Sequence, residues 1–407
     1  MRYSFALLFV LLFLVGCKQN TQKVILSEGI WLVELDVMDN QVLPFDLKVN
    51  KNEDGGYAMQ IINAKEVIDI DEIEINGDSI FIQIPVFEGY LAGTFTENSI
   101  QGQFIKESLD RIVSFKAMYG SKERFKVKKE RTDLNVTGIW ETYFSPDLKE
   151  EYVGKGIFLQ EDKRVTGTFR TTTGDYRYLE GILDGDLLKL SAFDGAHAFL
   201  FNAKVTDSTM NGVFYSGNHF KEPFVAKRND GFDLPDPDSL TFLNKGYDKL
   251  AFTFPDVKGN MVSLSDKTYQ DKVVVVQLMG TWCPNCLDET KFLVDYLEGN
   301  NEIEVIGLAF ESAKTKEIAI KGIERLKNRI GVDYPILLAQ YGTYDKQKAQ
   351  EKLPMLNHVL SYPTTIFIDK KGGVRKIHTG FNGPATGEKF VEFKKNFNEL
   401  ITELVSE

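Results

Sequence analysis

The chain predicts a multidomain protein, with an N-terminal all-β duplicated region followed by an α/β domain that has a mixed central sheet. Three observations lead there. Between residues 24 and 230, short apolar–polar alternations are broken by glycine and charged turns, and no helical period lasts beyond a turn or two. Sequence marks inside that stretch recur at a near-constant spacing. After residue 249 the pattern changes to strands alternating with helical periods.

The length of 407 residues implies two or three domains at ~100–200 residues each. A net charge of −11 disfavours nucleic acid as a partner, because a phosphate backbone needs a basic face.

At the N-terminus, Arg2 precedes an unbroken apolar run from Phe5 to Val15. That run is too short for a bilayer, which needs ~20 apolar residues, and it fits the apolar centre of a secretory signal. It ends in Leu14-Val15-Gly16-Cys17, which resembles the lipobox of bacterial lipoproteins, and polar Lys18, Gln19 and Asn20 follow at once. The resemblance implies a signal peptide over 1–16, a lipidated Cys17, and a tether over 17–23. Acyl chains contribute ~0.8 kcal/mol per buried methylene, so a multiply acylated cysteine holds firmly to a membrane. Lys18 after the cysteine is compatible with outer-membrane sorting.

In the β region Ile80, Ile82 and Ile84 alternate with polar neighbours, as do Val165, Gly167 and Phe169 with Thr166 and Thr168. Gly29-Ile30-Trp31 recurs as Gly138-Ile139-Trp140, Gly77-Asp78 as Gly185-Asp186, and Gly102-Gln103-Phe104 as Gly212-Val213-Phe214. The offsets are 109, 108 and 110, so three matches keep register across a whole unit. They predict two β repeats, 24–130 and 131–230, each a small antiparallel barrel or sandwich opening at its Gly-Ile-Trp strand.

Residues 231–249 read as a linker, since Asp233-Leu234-Pro235-Asp236-Pro237-Asp238 continues neither strand nor helix. Residues 250–407 form the α/β domain. Phe252–Phe254 and Met261–Leu264 make a hairpin around Asp256-Val257-Lys258-Gly259-Asn260. Val273–Met279 is a continuous apolar run, as for a central strand covered on both faces. A helix begins at Pro284, with Cys286, Leu293 and Leu297 on one face. Further strands are expected at Ile303–Phe310, Pro335–Ala339, Thr364–Asp369 and Val374–Thr379. Helices are expected at Lys314–Ile330 and Glu388–Val405.

The chain has three cysteines, and with Cys17 lipidated the other two are the ends of one C-x-x-C. Structural staples in an exported protein are scattered, so thiols three residues apart favour a redox or metal pair. Trp282-Cys283-Pro284-Asn285-Cys286 lies where the buried strand hands over to a helix. A cysteine there has its thiolate stabilised by free backbone N–H groups and the helix dipole, which brings its pKa from ~8.5 into ~3.5–7.5. The second cysteine returns to the same face within the ~5.5 Å Cα separation of a disulfide. Pro284 suits the first turn, where its missing N–H has no intrahelical partner to lose.

Residues from about 250 to 405 resemble the TlpA/ResA-like membrane-associated thioredoxins. The opening hairpin carries the likeness, as do the apolar strand before Gly280-Thr281-Trp282-Cys283-Pro284-Asn285-Cys286, the insertion near 303–340, and Tyr362-Pro363-Thr364-Thr365 before a strand. The resemblance implies a thioredoxin-like fold in which Pro363 is cis and lies against the disulfide. Tyr362 then contacts the substrate chain, and Trp282 and Pro284 complete the substrate-binding candidates. A proline there donates no N–H and leaves a strand edge free to pair with substrate backbone. The resemblance also points to Glu289, which would tune proton transfer at the thiol pair; the alternative is a solvated glutamate in the first helical turn. Two positions depart from the pattern. Met279 replaces the aromatic residue four places before Cys283, and Gln277 replaces the buried acid six places before it and cannot shuttle a proton.

The implied chemistry is attack of the Cys283 thiolate on a substrate disulfide, with resolution by Cys286. The implied direction is reduction of disulfides in exported proteins. No cofactor is expected beyond the redox-active disulfide. The expected partners are protein disulfides, a membrane-bound electron donor, and the membrane itself through the lipid anchor, facing the periplasm of the cell envelope.

Rival readings are weaker on the residues. A thiol peroxidase needs P-x-x-x-T-x-x-C, and Val276 and Gly280 stand at the proline and threonine positions. Haem attachment needs C-x-x-C-H, and Leu287 replaces the histidine. No metal site is expected: of His197, His219, His358 and His378, none lies within five residues of the cysteines, and His358 reads as a loop histidine. A non-enzymatic alternative makes the β region an envelope module binding a peptide or glycan through Trp31, Trp140, Tyr176, Tyr178 and Phe214, with the α/β domain accessory. Strand-core packing explains those aromatics more simply.

Overall fold

A computed structural model describes residues 25–121, 123–128 and 133–407. Cys17 and the signal segment lie outside the described residues.

Two nine-stranded antiparallel sheets come first, with the same strand order. In each, consecutive strands pair as a meander except at one break midway, and the Gly-Ile-Trp strand returns to pair with the last one. Trp31 stands opposite Tyr119 in the first sheet, and Trp140 opposite Arg228 in the second. The two tryptophans are fully buried, and each indole N–H donates to the carbonyl four residues earlier, Ser27 at 3.0 Å and Val136 at 2.9 Å. Gly29 and Gly138 open these strands at φ +128° and +125°, a backbone region that residues with a Cβ rarely adopt.

The sheets differ in closure. In the second, Arg164–Thr171 pairs on both sides, with Tyr152–Glu161 and Leu179–Asp184, so the strands form a closed ring. In the first, Glu66–Ile70 and Ile73–Asn76 do not pair, and the expected barrel stays open there. The two residues at the gap, Asp71 and Glu72, instead receive Arg329 and Arg325 from the helix Lys316–Ile330 of the α/β domain. The sheets also pack on each other: Phe45 stacks on Phe193 at 4.4 Å, and Asn63 Nδ2 donates to the Phe193 carbonyl at 2.8 Å.

The segment 231–249 is packed rather than free. Asp238, in a 3-10 turn over Pro237–Ser239 capped by Asp236, holds Lys376 and His378 at 2.6 Å each, and Thr241 accepts from Thr379 at 2.8 Å, so the segment is pinned to the last strand of the α/β sheet.

That sheet has five strands. Its centre, Val273–Met279, is buried at every residue; it runs parallel to Ile303–Phe310 and antiparallel to Thr364–Ile368. Ile336–Gln340 and Val374–Thr379 form the edges. Helices span Pro284–Leu297, Lys316–Ile330 and Glu388–Ser406, and a short one, Lys346–Lys352, was not expected from the sequence. Its signal is local: Asp345 caps the free N–H groups of Gln347 and Lys348. Among the described residues no helix is long and apolar enough to cross a membrane.

Candidate active site

The central strand ends at Met279, and four residues later the chain enters the helix Pro284–Leu297 with Cys283 as its N-cap. Cys283 has extended backbone angles, φ −103° and ψ 111°, and its sulfur accepts the Cys286 N–H at 3.1 Å. Cys283 and Cys286 form a disulfide with Cα atoms 5.2 Å apart. Cys286 is fully buried and Cys283 is 6% exposed, so the N-terminal sulfur is the one a partner can reach. The Tyr362–Pro363 bond is cis, and the Tyr362 carbonyl lies 3.4 Å from the Cys283 sulfur. Trp282 is fixed by an indole N–H bond to the Phe310 carbonyl at 3.0 Å, and its ring meets Tyr362 edge-on at 5.7 Å. The structure thus gathers Trp282, Cys283, Pro284, Cys286, Tyr362 and Pro363 at one end of the sheet.

Glu289 is not a solvated glutamate. It is fully buried, one turn beyond Cys286, and accepts from Thr365 at 2.5 Å and from Gln277 at 2.8 Å. Burial pushes its pKa up to about 7, against the downward pull of those two bonds. Gln277, which cannot carry a proton, has a different task. Its amide group donates to both Glu289 and the Cys286 carbonyl and accepts from Thr290, which ties the carboxyl to the helix that bears the disulfide. Met279 is fully buried at the end of the strand.

A second buried acid, Glu311, was missed in the sequence. It accepts from the Thr281 N–H at 2.8 Å and the Thr281 hydroxyl at 2.7 Å, and so anchors the turn leading to Cys283. Burial raises its pKa to about 7 while the Thr281 bonds lower it. The only sequence signal was an acid closing the apolar run Ile303–Phe310, where the chain leaves the sheet.

The sequence also did not show that the second β sheet reaches this site. Its turn over Thr171–Arg177 lies against the disulfide end of the α/β domain. Asn285, between the two cysteines, donates to the Asp175 carbonyl at 3.3 Å, and Ser361 donates to the Thr173 carbonyl at 2.9 Å. The Gly383 N–H bonds Asp175 at 2.7 Å, and Arg170 donates to Asn382 at 2.7 Å. Arg177 is buried among Asp288, Glu66 and Asp194, and so joins the disulfide-bearing helix to both sheets. Burial lowers the Arg177 pKa, but the surrounding carboxylates outweigh it and hold the group well above its ordinary value. Burial raises Glu66 and Asp175.

The candidate aromatic stripe does not form. Trp31, Trp140 and Phe214 lie inside the sheets, and Tyr176 packs edge-on against Phe214 at 5.2 Å. His358 forms no hydrogen bond to the cysteines, and its ring nitrogen Nε2 is buried without a partner. No cluster of metal-ligating side chains occurs among the described residues.

Comparison with known proteins bears on the same part of the chain. The Redoxin family matches residues 246–392. The thiol–disulfide oxidoreductase ResA of Geobacillus kaustophilus is 28% identical over 131 residues, which are 32% of this chain and 66% of that relative, about two thirds of its length. The thioredoxin-like protein YneN of Bacillus subtilis is 26% identical over 142 residues, 34% of this chain and 73% of the relative. Among solved structures, a thiol-disulfide oxidoreductase from Bacteroides fragilis aligns at 18% identity and TM-score 0.27, over 36% of this chain and 99% of its own. A DsbF homologue from Corynebacterium diphtheriae aligns at 20% identity and TM-score 0.28, over 40% and 96%. With a family match and curated relatives falling on the segment that carries the cysteine pair, the C-terminal part of this chain is a Redoxin domain similar to the thioredoxin-like thiol–disulfide oxidoreductases of the ResA kind.

Proposed function

We propose that the chain is a lipid-anchored thiol–disulfide oxidoreductase of the cell envelope that reduces disulfides in exported proteins through Cys283 and Cys286. One observation carries the reading: the pair sits at a helix N-terminus, with the Cys283 sulfur on the Cys286 N–H and beside the carbonyl that precedes cis Pro363. A thiolate at that cap is stabilised by the same N–H and by the helix dipole.

In the reduced protein the Cys283 thiolate attacks one sulfur of a substrate disulfide, forms a mixed disulfide and expels the other substrate sulfur as a thiolate. Cys286 then loses its proton and attacks Cys283, which releases the second substrate thiol and leaves the protein disulfide. Glu289 is the group to take that proton, because at neutral pH its carboxyl is close to half ionised and it lies one turn from Cys286. Two electrons and two protons from a membrane-bound donor restore the dithiol. Tyr362 and Pro363 offer the edge along which substrate backbone pairs, with Trp282 and Pro284 beside it.

The two sheets share strand order, buried Trp positions and glycine φ values, which supports descent from one duplicated unit over 24–130 and 131–230. In this reading they hold the Redoxin domain, 250–407, and shape access to its sulfur, while Cys17 carries the acyl chains that keep the protein on a membrane facing the periplasm. The test is Cys286→Ala in the full chain, analysed on non-reducing gels. A trapped, reductant-sensitive adduct through Cys283 is expected. A non-covalent complex that persists without either thiol points instead to a binding module.

A further inference from the structure

Beside Trp282 is a cleft of about 160 Å³ that the α/β domain does not form alone. The first sheet contributes Lys106 and Arg111, the second His197 and His219, and the Redoxin domain Trp282 and Tyr344. Trp282 adjoins Cys283 in the chain, and Tyr344 leans on its ring at 5.5 Å, so one aromatic wall of the cleft is the residue next to the reactive cysteine.

The basic groups are crowded. Lys106 is buried and donates to the Ala196 carbonyl at 3.1 Å. Burial lowers its pKa, and Arg111 lowers it further. Desolvation lowers His219 to about 4, with Arg111, Lys106 and His197 adding repulsion. Two acids stand near. Asp194 is occupied by Arg177 and His197, and Glu88 accepts from Ser108. Arg111 is half-buried and forms no direct ion pair among the described residues. Converging cations, of which Arg111 makes no direct ion pair and feels Glu88 only at longer range, favour an anion that enters from outside. The volume lies well below the ~300–1,000 Å³ of pockets for drug-sized ligands and suits one side chain.

We propose that this cleft is a subsite for a carboxylate of the disulfide substrate, an acidic side chain near the substrate cysteine held by Arg111 and Lys106 while the disulfide lies at Cys283. The inference rests on the oxidoreductase reading and names its substrate class. A planar guanidinium binds a carboxylate with two parallel hydrogen bonds, which gives orientation as well as attraction.

The experiment uses the full chain, reduced with dithiothreitol and freed of it, in single-turnover reaction with two disulfide-linked peptides that differ only by Asp or Asn beside the cysteine. A small dicarboxylate disulfide and a neutral one of equal size form a second pair. The Asp peptide is expected to react about tenfold more efficiently, equivalent to ~1.4 kcal/mol, mainly through apparent affinity. Arg111→Met should bring the Asp-to-Asn ratio within twofold of one, while Lys395→Met, an exposed charge on the far helix, should leave it at tenfold. A preference seen only for the small dicarboxylate supports the carboxylate subsite and assigns it to low-molecular-weight disulfides. Neutral and acidic disulfides reacting equally in the wild type, or a ratio untouched by Arg111→Met, overturns this inference alone. If no disulfide reacts, neutral ones included, the oxidoreductase reading falls and takes the inference with it.

Discussion

Replacing Glu289 by Gln tests whether its carboxyl is held neutral by burial. The folded pKa, raised from 4.5 to about 7, means that the folded protein keeps a proton which the unfolded chain has already lost. Stability from this group is therefore full below about pH 4.5 and is lost as pH rises through 7. At ~1.36 kcal/mol per unit the loss is roughly 3 kcal/mol, about a hundredfold in an opening equilibrium. Gln cannot ionise and still fills the space, so the variant escapes that loss. The readout is amide hydrogen exchange of peptides from the helix Pro284–Leu297 in the oxidised full-length protein, wild type against variant at each pH. Intrinsic exchange cancels in that ratio, as does Glu311, which both proteins carry. Protection of the variant relative to wild type should rise on the order of a hundredfold between pH 4.5 and 8. A ratio that stays flat across this range refutes the claim that Glu289 is desolvated and protonated near neutrality.

Three further outcomes follow from the packing. Arg177→Met leaves Glu66, Asp194 and Asp288 without their shared cation. It should cost about 3–5 kcal/mol, with a larger drop in Tm at pH 8 than at pH 5, because burial already raises the Glu66 pKa and that acid takes up a proton most readily once its cation is gone. Glu311→Leu strands the Thr281 N–H, so a loss of ~1–3 kcal/mol is expected in denaturant melts, together with slower reaction of reduced Cys283 in stopped flow. Gly102→Ala places a Cβ 2.1 Å from the Ala92 carbonyl oxygen, which must part the two strands at about 1–3 kcal/mol. Hydrogen exchange in Tyr90–Phe95 and Ser99–Lys106 should report it, and Gly120→Ala, whose Cβ meets open space at φ +76°, should leave those strands unchanged.

Much of the fold was readable because its causes are local. Val273–Met279 and Ile303–Phe310 have the bounds their mainly apolar runs predict, since a strand covered on both faces needs apolar side chains at most positions, Gln277 and Glu304 being the polar exceptions. The helix after Cys283 was legible from Pro284 at its first position. The missed helix Lys346–Lys352 has one buried residue, Ala349, so no apolar period marks it. Closure of the first sheet was not legible either. Asp71 and Glu72 look like any charged turn until Arg325 and Arg329, more than 250 residues later, fill the gap beside them.

For the site, the sequence alone determined the cysteine pair and its helix N-terminus, because two thiols three residues apart and a cap are properties of a few neighbouring residues; the proline opposite, Pro363, was legible only through the family resemblance. Tertiary structure decided the rest. Whether Glu289 is solvated or neutral depends on the burial around it, and Gln277 and Thr365 come from other strands. That Arg177 of a β sheet grips the disulfide-bearing helix, and that Lys106 and Arg111 crowd beside Trp282, follows from how the sheets pack on the Redoxin domain. Desolvation and charge proximity act through space, and residues far apart in the chain acquire them only when folding brings them together.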